Sequence, residues 1–387
     1  LVLVLYILFG IVGGIANGYN AQTIFNDANA WIFFSYIFFF FDAFGAQSGQ
    51  CQKTLQNILN IMAAASLVTA MKVIILVLLF AYRFDSVLPE LYAWIRDLRL
   101  GEITHVSGDF YRVFLQSQFY SMITLLIFLP IFLLLKERLS RWEKRMMLVI
   151  LIATSFTVLL GFSRSFWVGI FSAFACLYAL LIFYERFSLL KMLKITTCGV
   201  GVLVLEVGVV YMFINSPFAG LLSQRVTNIE EAAASSRVNQ LAPLKHAIAE
   251  NILFGSGFGR EVTYETKDPR LLAMYPELEG RITTYAFEWG YLDMLLKIGA
   301  MGVLVYLALI FAIVWQLFIR SGLSLHSKAL LRLRSGRDIE YAIISGFFLG
   351  VVALTITHVF SPYLNHPLGI GYLLLVSALL PALSMRV

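Results

Sequence analysis

Between positions 57 and 82 the chain reads NILNIMAAASLVTAMKVIILVLLFAY, 26 residues with Lys72 as the only charge. About 20 helical residues cross the hydrocarbon of a bilayer, so this stretch suits lipid as its solvent. Ten apolar segments of this kind recur, near 1–14, 30–45, 57–82, 118–135, 146–161, 165–184, 193–214, 286–319, 341–360 and 364–384. With 60% hydrophobic and 13% charged residues, a soluble chain of 387 residues could not hide its apolar surface. Barrel strands would be about half as long and would alternate in polarity, which these segments do not. The expectation is an all-α polytopic membrane protein with about 10 transmembrane helices. Leu1 already stands in an apolar segment, which predicts a sequence that starts inside a helix, with residues upstream, and not at a cleaved signal peptide.

Basic residues divide the connections into two sets. KERLSRWEKR (136–145) carries five Lys/Arg against two Glu, and YERFSLLKMLK (184–194) carries three against one. The 320–340 connection carries Arg320, Lys328, Arg332, Arg334 and Arg337. The positive-inside rule puts these three in the cytoplasm. The alternate connections, 83–117 and 215–285, carry four basic against five acidic residues and seven against eight, and are expected outside. Both ends of the sequence then face the cytoplasm. The net charge of +6 follows from topology and anionic lipid, and no nucleic acid is implied.

This gives N-terminal transmembrane helices over 1–214 with an outer interfacial segment at 83–117, a large extracytoplasmic loop at 215–285, and C-terminal transmembrane helices over 286–387. The loop is far longer than ordinary helix connections. Within it SSRVNQLAPLKHAIAENILFGSGFG sets Leu241, Leu244, Ile248 and Ile252 at helical spacing before a glycine-rich stop. In the 83–117 segment Leu88, Leu91, Trp94, Ile95 and Leu98 make one stripe, predicting an amphipathic helix at the interface.

Arginines gather at the outer level: Arg112 before the 118–135 helix, Arg164 in the short turn GFSRSFW, and Arg237 and Arg281 at the start and end of the large loop. A guanidinium is a planar, permanent cation suited to phosphate oxygens. Snorkelling to lipid phosphates or pairing with loop carboxylates is the plainer reading of each. Glu288 stands just ahead of the 286–319 segment, where an acid is also ordinary because the helix dipole favours it. Asp293 and Lys297 are spaced i, i+4 and are expected to pair. Gly299 and Gly302 suit close helix packing. His358 and His366 at the outer face are further candidate bases or sugar-binding groups. GSGFG follows a helix and not a strand, and lacks the Lys-Ser/Thr of a P-loop, so a nucleotide site is excluded. Cys51, Cys176 and Cys198 offer neither metal nor disulfide spacing and read as small packing residues. No metal and no cofactor is expected.

Three stretches in order resemble bacterial O-antigen ligases and O-antigen (Wzy-type) polymerases: GFSRSFWVGIFSAFACLYALLIF, SSRVNQLAPLKHAIAENILFGSGFG and EWGYLDMLLKIGAMG. The resemblance covers about residues 110–320 well. In the ligases the closing motif opens with His, then Asn, Ser or Gln, followed by nine residues and the glycine pair. Here Glu288 and Trp289 hold those places, which favours a polymerase-like relative.

The resemblance implies a metal-independent, GT-C-like glycosyltransferase in the bacterial inner (plasma) membrane, with its active site on the extracytoplasmic face. The donor would be a glycan on undecaprenyl pyrophosphate, the acceptor a glycan or lipid, with a chain-length regulator and a flippase as candidate partners. Polymerisation of repeat units into surface polysaccharide is the leading expectation, with ligation to lipid A-core as the alternative. In either case Glu288 would be the base, and Arg164, Arg237, Arg112 and Arg281 would hold the pyrophosphate. A transporter or flippase is the alternative of another class. It calls for ionisable residues near the midplane and repeated halves, yet only Lys72 and Glu206 lie well inside the apolar segments and the halves are unlike.

Overall fold

The computed structural model describes residues 2–44, 51–84, 86–107, 109–183, 185–214, 232–266, 272, 276–320 and 337–382. In chain order the elements are α1 (Val2–Ala16), α2 (Ala21–Ala28), a 3-10 helix (Asn29–Tyr36), α3 (Ile37–Phe44), α4 (Cys51–Ala81) and α5 (Leu88–Asp97). A hairpin of β1 (Gly101–Ser107) and β2 (Phe110–Leu115) leads into α6 (Gln118–Leu135), α7 (Arg141–Gly161), α8 (Arg164–Phe183) and α9 (Leu189–Ile214). Then come α10 (Ala232–Ala249), β3 (Val262–Glu265), β4 (Arg281–Thr284), α11 (Gly290–Arg320), α12 (Arg337–Thr357) and α13 (Pro367–Ala382).

The chain is an all-α polytopic membrane protein. Among the described residues eight spans are long and apolar enough to cross a bilayer, the first being the composite Ala21–Phe44. The remaining two expected segments form the shorter apolar helices Val2–Ala16 and Pro367–Pro381. Lys328, Arg332 and Arg334 of the 320–340 connection, and residues 215–231 of the large loop, lie outside the described residues. Both connections expected outside contain strands that the helical periodicity did not announce: antiparallel β1/β2 after the expected α5, and antiparallel β3/β4 after α10. Four-residue and seven-residue strands are too short to register against the strong 3.6-residue pattern around them.

By contact the chain divides into two compact units. The first comprises Leu1–Gly45, Asn228–Gln316 and Leu354–Ala382. Its core is aromatic: Trp31 lies 5.6 Å from Tyr306 and 6.0 Å from Phe258, ring centre to ring centre, and the Tyr306 hydroxyl donates to the Leu364 carbonyl at 2.6 Å. The second comprises Ala46–Thr227, Leu317–Ala353 and Leu383–Val387. Its buried core joins Val73 and Val77 of α4, Phe110 and Val113 of β2, Leu160 and Phe162 at the end of α7, and Val210 of α9. Ser66 of α4 donates to Thr124 of α6 at 2.8 Å, the kind of interhelical polar contact that substitutes for a hydrophobic drive in lipid. Glu206 of α9 is buried and accepts from Ser155 of α7 at 3.2 Å.

Within the first unit α11 is broken at Gly299, whose φ of 66° and ψ of 178° are not helical. The segment after α10 inserts into that break. Leu296 and Lys297 carbonyls, which an unbroken helix would give to Ala300 and Met301, accept from Ser256 N–H at 2.6 Å and Gly257 N–H at 3.1 Å. Ala300 and Met301 N–H instead donate to the Ile252 and Leu253 carbonyls at 2.8 and 3.2 Å. The backbone groups of Leu296, Lys297, Ala300 and Met301 freed by the break are thus satisfied by the inserted chain, as a membrane setting requires. The GSGFG stretch is therefore a docked strap, and more than the helix stop its composition suggested.

Candidate functional site

The turn between β4 and α11 positions Glu288. The Thr284 hydroxyl accepts Ala286 N–H at 3.1 Å and bends the chain out of the strand. Phe287 then buries against Leu244, Ala247 and Ile248 of α10 and Leu296 of α11. That fixes the alternation of the turn, and Glu288 emerges on the opposite side, half-exposed. Gly290 opens the helix with its Cα against His358; a Cβ there would meet the imidazole Nδ1 at 2.6 Å. The first helical bond runs from Asp293 N–H to the Trp289 carbonyl at 2.8 Å.

Arg237 of α10 comes to the same place. Its Nε forms an ion pair with Glu288 Oε2, the two side chains being 33% and 48% exposed. The Trp289 indole N–H donates to the Arg237 carbonyl at 2.9 Å, so consecutive residues 288 and 289 grip the side chain and the backbone of one arginine. The Trp289 ring also packs 5.8 Å from that of Phe360. A carboxylate and a guanidinium are thus in contact, at the end of α11 where the dipole favours negative charge.

Arg281 lies on β4, exposed, with Glu265 as its Cα partner across the hairpin. His366 is half-buried, its Nδ1 accepting Leu368 N–H at 3.2 Å. In the neutral ring that leaves the proton on Nε2, so that the ring presents a donor there and not a base, and burial lowers its pKa. His358 is fully buried just past α12. Leu364 N–H donates to its Nδ1 at 3.1 Å, so the proton stands on Nε2, 3.1 Å from the Met294 sulfur. Burial drives its pKa down to about 3. The expectation of His358 as an alternative base does not fit a neutral ring with both nitrogens occupied.

In the second unit Arg112 and Arg164 share one corner. Arg112 Nε donates to the Gly161 carbonyl at 2.9 Å, its guanidinium lies 5.1 Å over the Phe114 ring, and its side chain is 16% exposed. Phe162 then turns the chain with a left-handed φ of 49°, and Arg164 begins α8. The Phe114 and Phe166 rings pack at 5.6 Å, joining β2 to the first turn of α8. Buried Gln118 supports the corner, accepting Leu115 N–H at 3.3 Å and donating to the Val113 carbonyl at 3.1 Å. Its environment is polar backbone that the sequence pattern gave no means of locating.

Asp293 and Lys297 pair as their spacing predicts, with Nζ to Oδ1 at 2.7 Å. Sequence reasoning missed the third member, Asp27, which also ion-pairs with Lys297. Asp27 sits just ahead of the apolar run AWIFF, where a polar boundary is unremarkable.

Residues 147–307 match the family model Wzy_C, described as O-antigen ligase. This match, over 161 of the 387 residues, supports membership of the O-antigen ligase/polymerase family. The matched residues include Arg164, Arg237, Arg281 and Glu288, the Asp293–Lys297 pair, and both sides of the Gly255–Gly299 contact. With the eight apolar spans, the match supports a multi-pass membrane enzyme of the glycan-ligating, glycosyltransferase type and implies lipid-linked glycan as its substrate class. No curated protein matches the chain.

Proposed function

We propose that the protein polymerises oligosaccharide repeat units carried on undecaprenyl pyrophosphate, on the outer face of the bacterial inner membrane, as a metal-independent, inverting GT-C-like transferase. The observation that carries this reading is the Arg237–Glu288 contact at the opening of α11. The acceptor hydroxyl oxygen attacks the anomeric carbon of the donor, its proton passes to Glu288, and the carbon–oxygen bond to pyrophosphate breaks with the electron pair leaving on phosphate. A carboxylate within reach of the hydroxyl supplies general-base catalysis. Arg237 meets the negative charge that builds on the departing phosphate, where a pre-positioned cation is most effective. Arg281 is a further phosphate ligand in this reading, and Arg112 and Arg164, gathered at one corner of the second unit, are candidate phosphate ligands of that unit. His366 Nε2–H serves as a sugar hydrogen-bond donor. The positive connections 136–145 and 184–194 support the outer placement of this face.

Ligation to lipid A-core is the second reading, favoured by the description of the matched family as O-antigen ligase. The test is purified protein in lipid with a lipid-pyrophosphate oligosaccharide as sole substrate. Extension of glycan on its lipid is the expected result. Transfer only after lipid A-core is added establishes the ligase, and no transfer with either sinks both in favour of a transporter.

A further inference from the structure

Lys297 is enclosed by two carboxylates. Its Nζ contacts Asp27 Oδ1 and Asp293 Oδ1, with the lysine 3% and the aspartates 4% and 2% exposed. The outer oxygens are used as well: Asp27 Oδ2 accepts Gly259 N–H at 2.9 Å, and Asp293 Oδ2 accepts from Asn365 Nδ2 at 2.7 Å. The Asp293 carboxylate also receives the backbone N–H of Phe287, the residue directly before Glu288. The Lys297 carbonyl holds the glycine strap through Gly257 N–H. One lysine therefore joins α2, the strap, the first half of α11 and the connection before α13. Buried ionisable groups within an apolar helix are retained where they serve pairing or function.

Both members of the catalytic pair hang from this cluster. Asp293 fixes the N–H of residue 287 and bonds through its own N–H to the Trp289 carbonyl, bracketing Glu288. Trp289 in turn holds the Arg237 carbonyl. A base and a cation displaced by about 1 Å lose on the order of 100-fold in rate.

We propose that Lys297, with Asp293 and Asp27, is a positioning residue for Glu288 and Arg237. The proposal rests on the reading of Glu288 as base. Lys297→Met alone would leave two buried carboxylates opposed and fold poorly. The test therefore uses Lys297→Met combined with Asp27→Asn, which removes one charge of each sign and keeps an acceptor for Gly259 N–H. A second variant, Asp293→Leu, leaves Lys297 balanced by Asp27 but strips Phe287 N–H and Asn365 of their acceptor. Each is assayed for kcat and donor KM in reconstituted membranes, with its melting temperature as the fold control. Both are expected to lower kcat roughly 10–100-fold, to raise donor KM modestly through Arg237, and to cause a clearly smaller further loss in a Glu288→Gln background, where only the part that passes through Arg237 remains. A folded variant with wild-type kcat overturns the proposal, as does an equal loss in the Glu288→Gln background. Glu288→Gln at the wild-type rate overturns the base reading first, and positioning with it; impaired Glu288→Gln beside unimpaired cluster variants overturns positioning alone.

Discussion

Gly255 and Gly299 meet backbone to backbone. A Cβ on either would lie 2.5 Å from the other's amide nitrogen, and both residues have positive φ, 78° and 66°. The contact lets the strap after α10 enter the break in α11 and exchange four hydrogen bonds with it. The strap and the Arg237–Glu288 pair fasten α10 to α11 at its two ends, with Leu244, Ala247 and Ile248 packed between. The geometry of the candidate site thus depends on two glycines remote from its chemistry.

Gly255→Ala and Gly299→Ala should each destabilise the protein by about 2–4 kcal/mol, summing left-handed backbone strain and overpacking against main chain. Gly302 gives the contrast. A Cβ there meets the Ile298 Cβ at 2.8 Å, but Gly302 does not have a positive φ, so only the packing cost applies. Gly302→Ala should cost markedly less. Thermal denaturation in detergent of the three variants checks the order, and equal shifts would refute the account.

The sequence announced what repeats and hid what converges. Spans were legible because ten apolar segments need no partner to be recognised, and the Asp293–Lys297 pair because helical spacing is local. The GSGFG strap was visible as glycine, but its partner was Gly299, 44 residues away, and only the backbone shows why both must lack a side chain. Asp27 lies more than 260 residues from Lys297, and nothing in either local pattern links them. Arg237 and Glu288 were each singled out on chemical type, yet their contact is a product of the α10–strap–α11 packing. The β-hairpins were missed because their strands are short and interrupt a dominant helical period.

The ion pair carries a kinetic consequence. In the proposed reaction Glu288, already paired with Arg237, and a donor pyrophosphate would compete for the same guanidinium. Glu288→Gln should therefore lower kcat by roughly 10²–10⁴-fold, the loss of a general base, while donor binding stays equal or tightens. Arg237→Lys keeps the charge but not the fork, so it should weaken donor binding and lower the rate together. Equilibrium binding of a lipid pyrophosphate, measured beside turnover, separates the two. Weaker donor binding in Glu288→Gln would contradict the competition.

Arg112 and Arg164 should separate in the same way. Arg112 donates to the Gly161 carbonyl, so Arg112→Met leaves a buried acceptor unpaired and should cost about 1–3 kcal/mol of stability. Arg164→Lys should leave the melting temperature near wild type and raise the donor KM, since a point charge replaces a planar fork. Unfolding curves and donor titrations on both variants check this; a stability loss confined to Arg164→Lys would reverse the assignment.

His358 predicts a pH dependence whose sign follows from its burial. The folded protein holds the ring neutral with a pKa of about 3, against an ordinary value near 6.5. Above about pH 6.5 the ring is neutral folded or unfolded, and it adds no slope. Below that value the unfolded chain takes up a proton that the folded one refuses. Stability is therefore full above the unfolded pKa and is lost as pH falls from about 6.5 toward 3, by at most about 1.4 kcal/mol per pH unit. Burial lowers the His366 pKa too, so its contribution has the same sign. His358→Asn keeps an oxygen acceptor for Leu364 N–H but cannot titrate. Its melting temperature should sit below wild type at pH 7.5 and then decline less steeply between pH 6.5 and 4.5, the remaining slope reflecting His366 and the carboxylates. A variant whose acid slope matched wild type would show that the His358 proton is not what the folded state excludes.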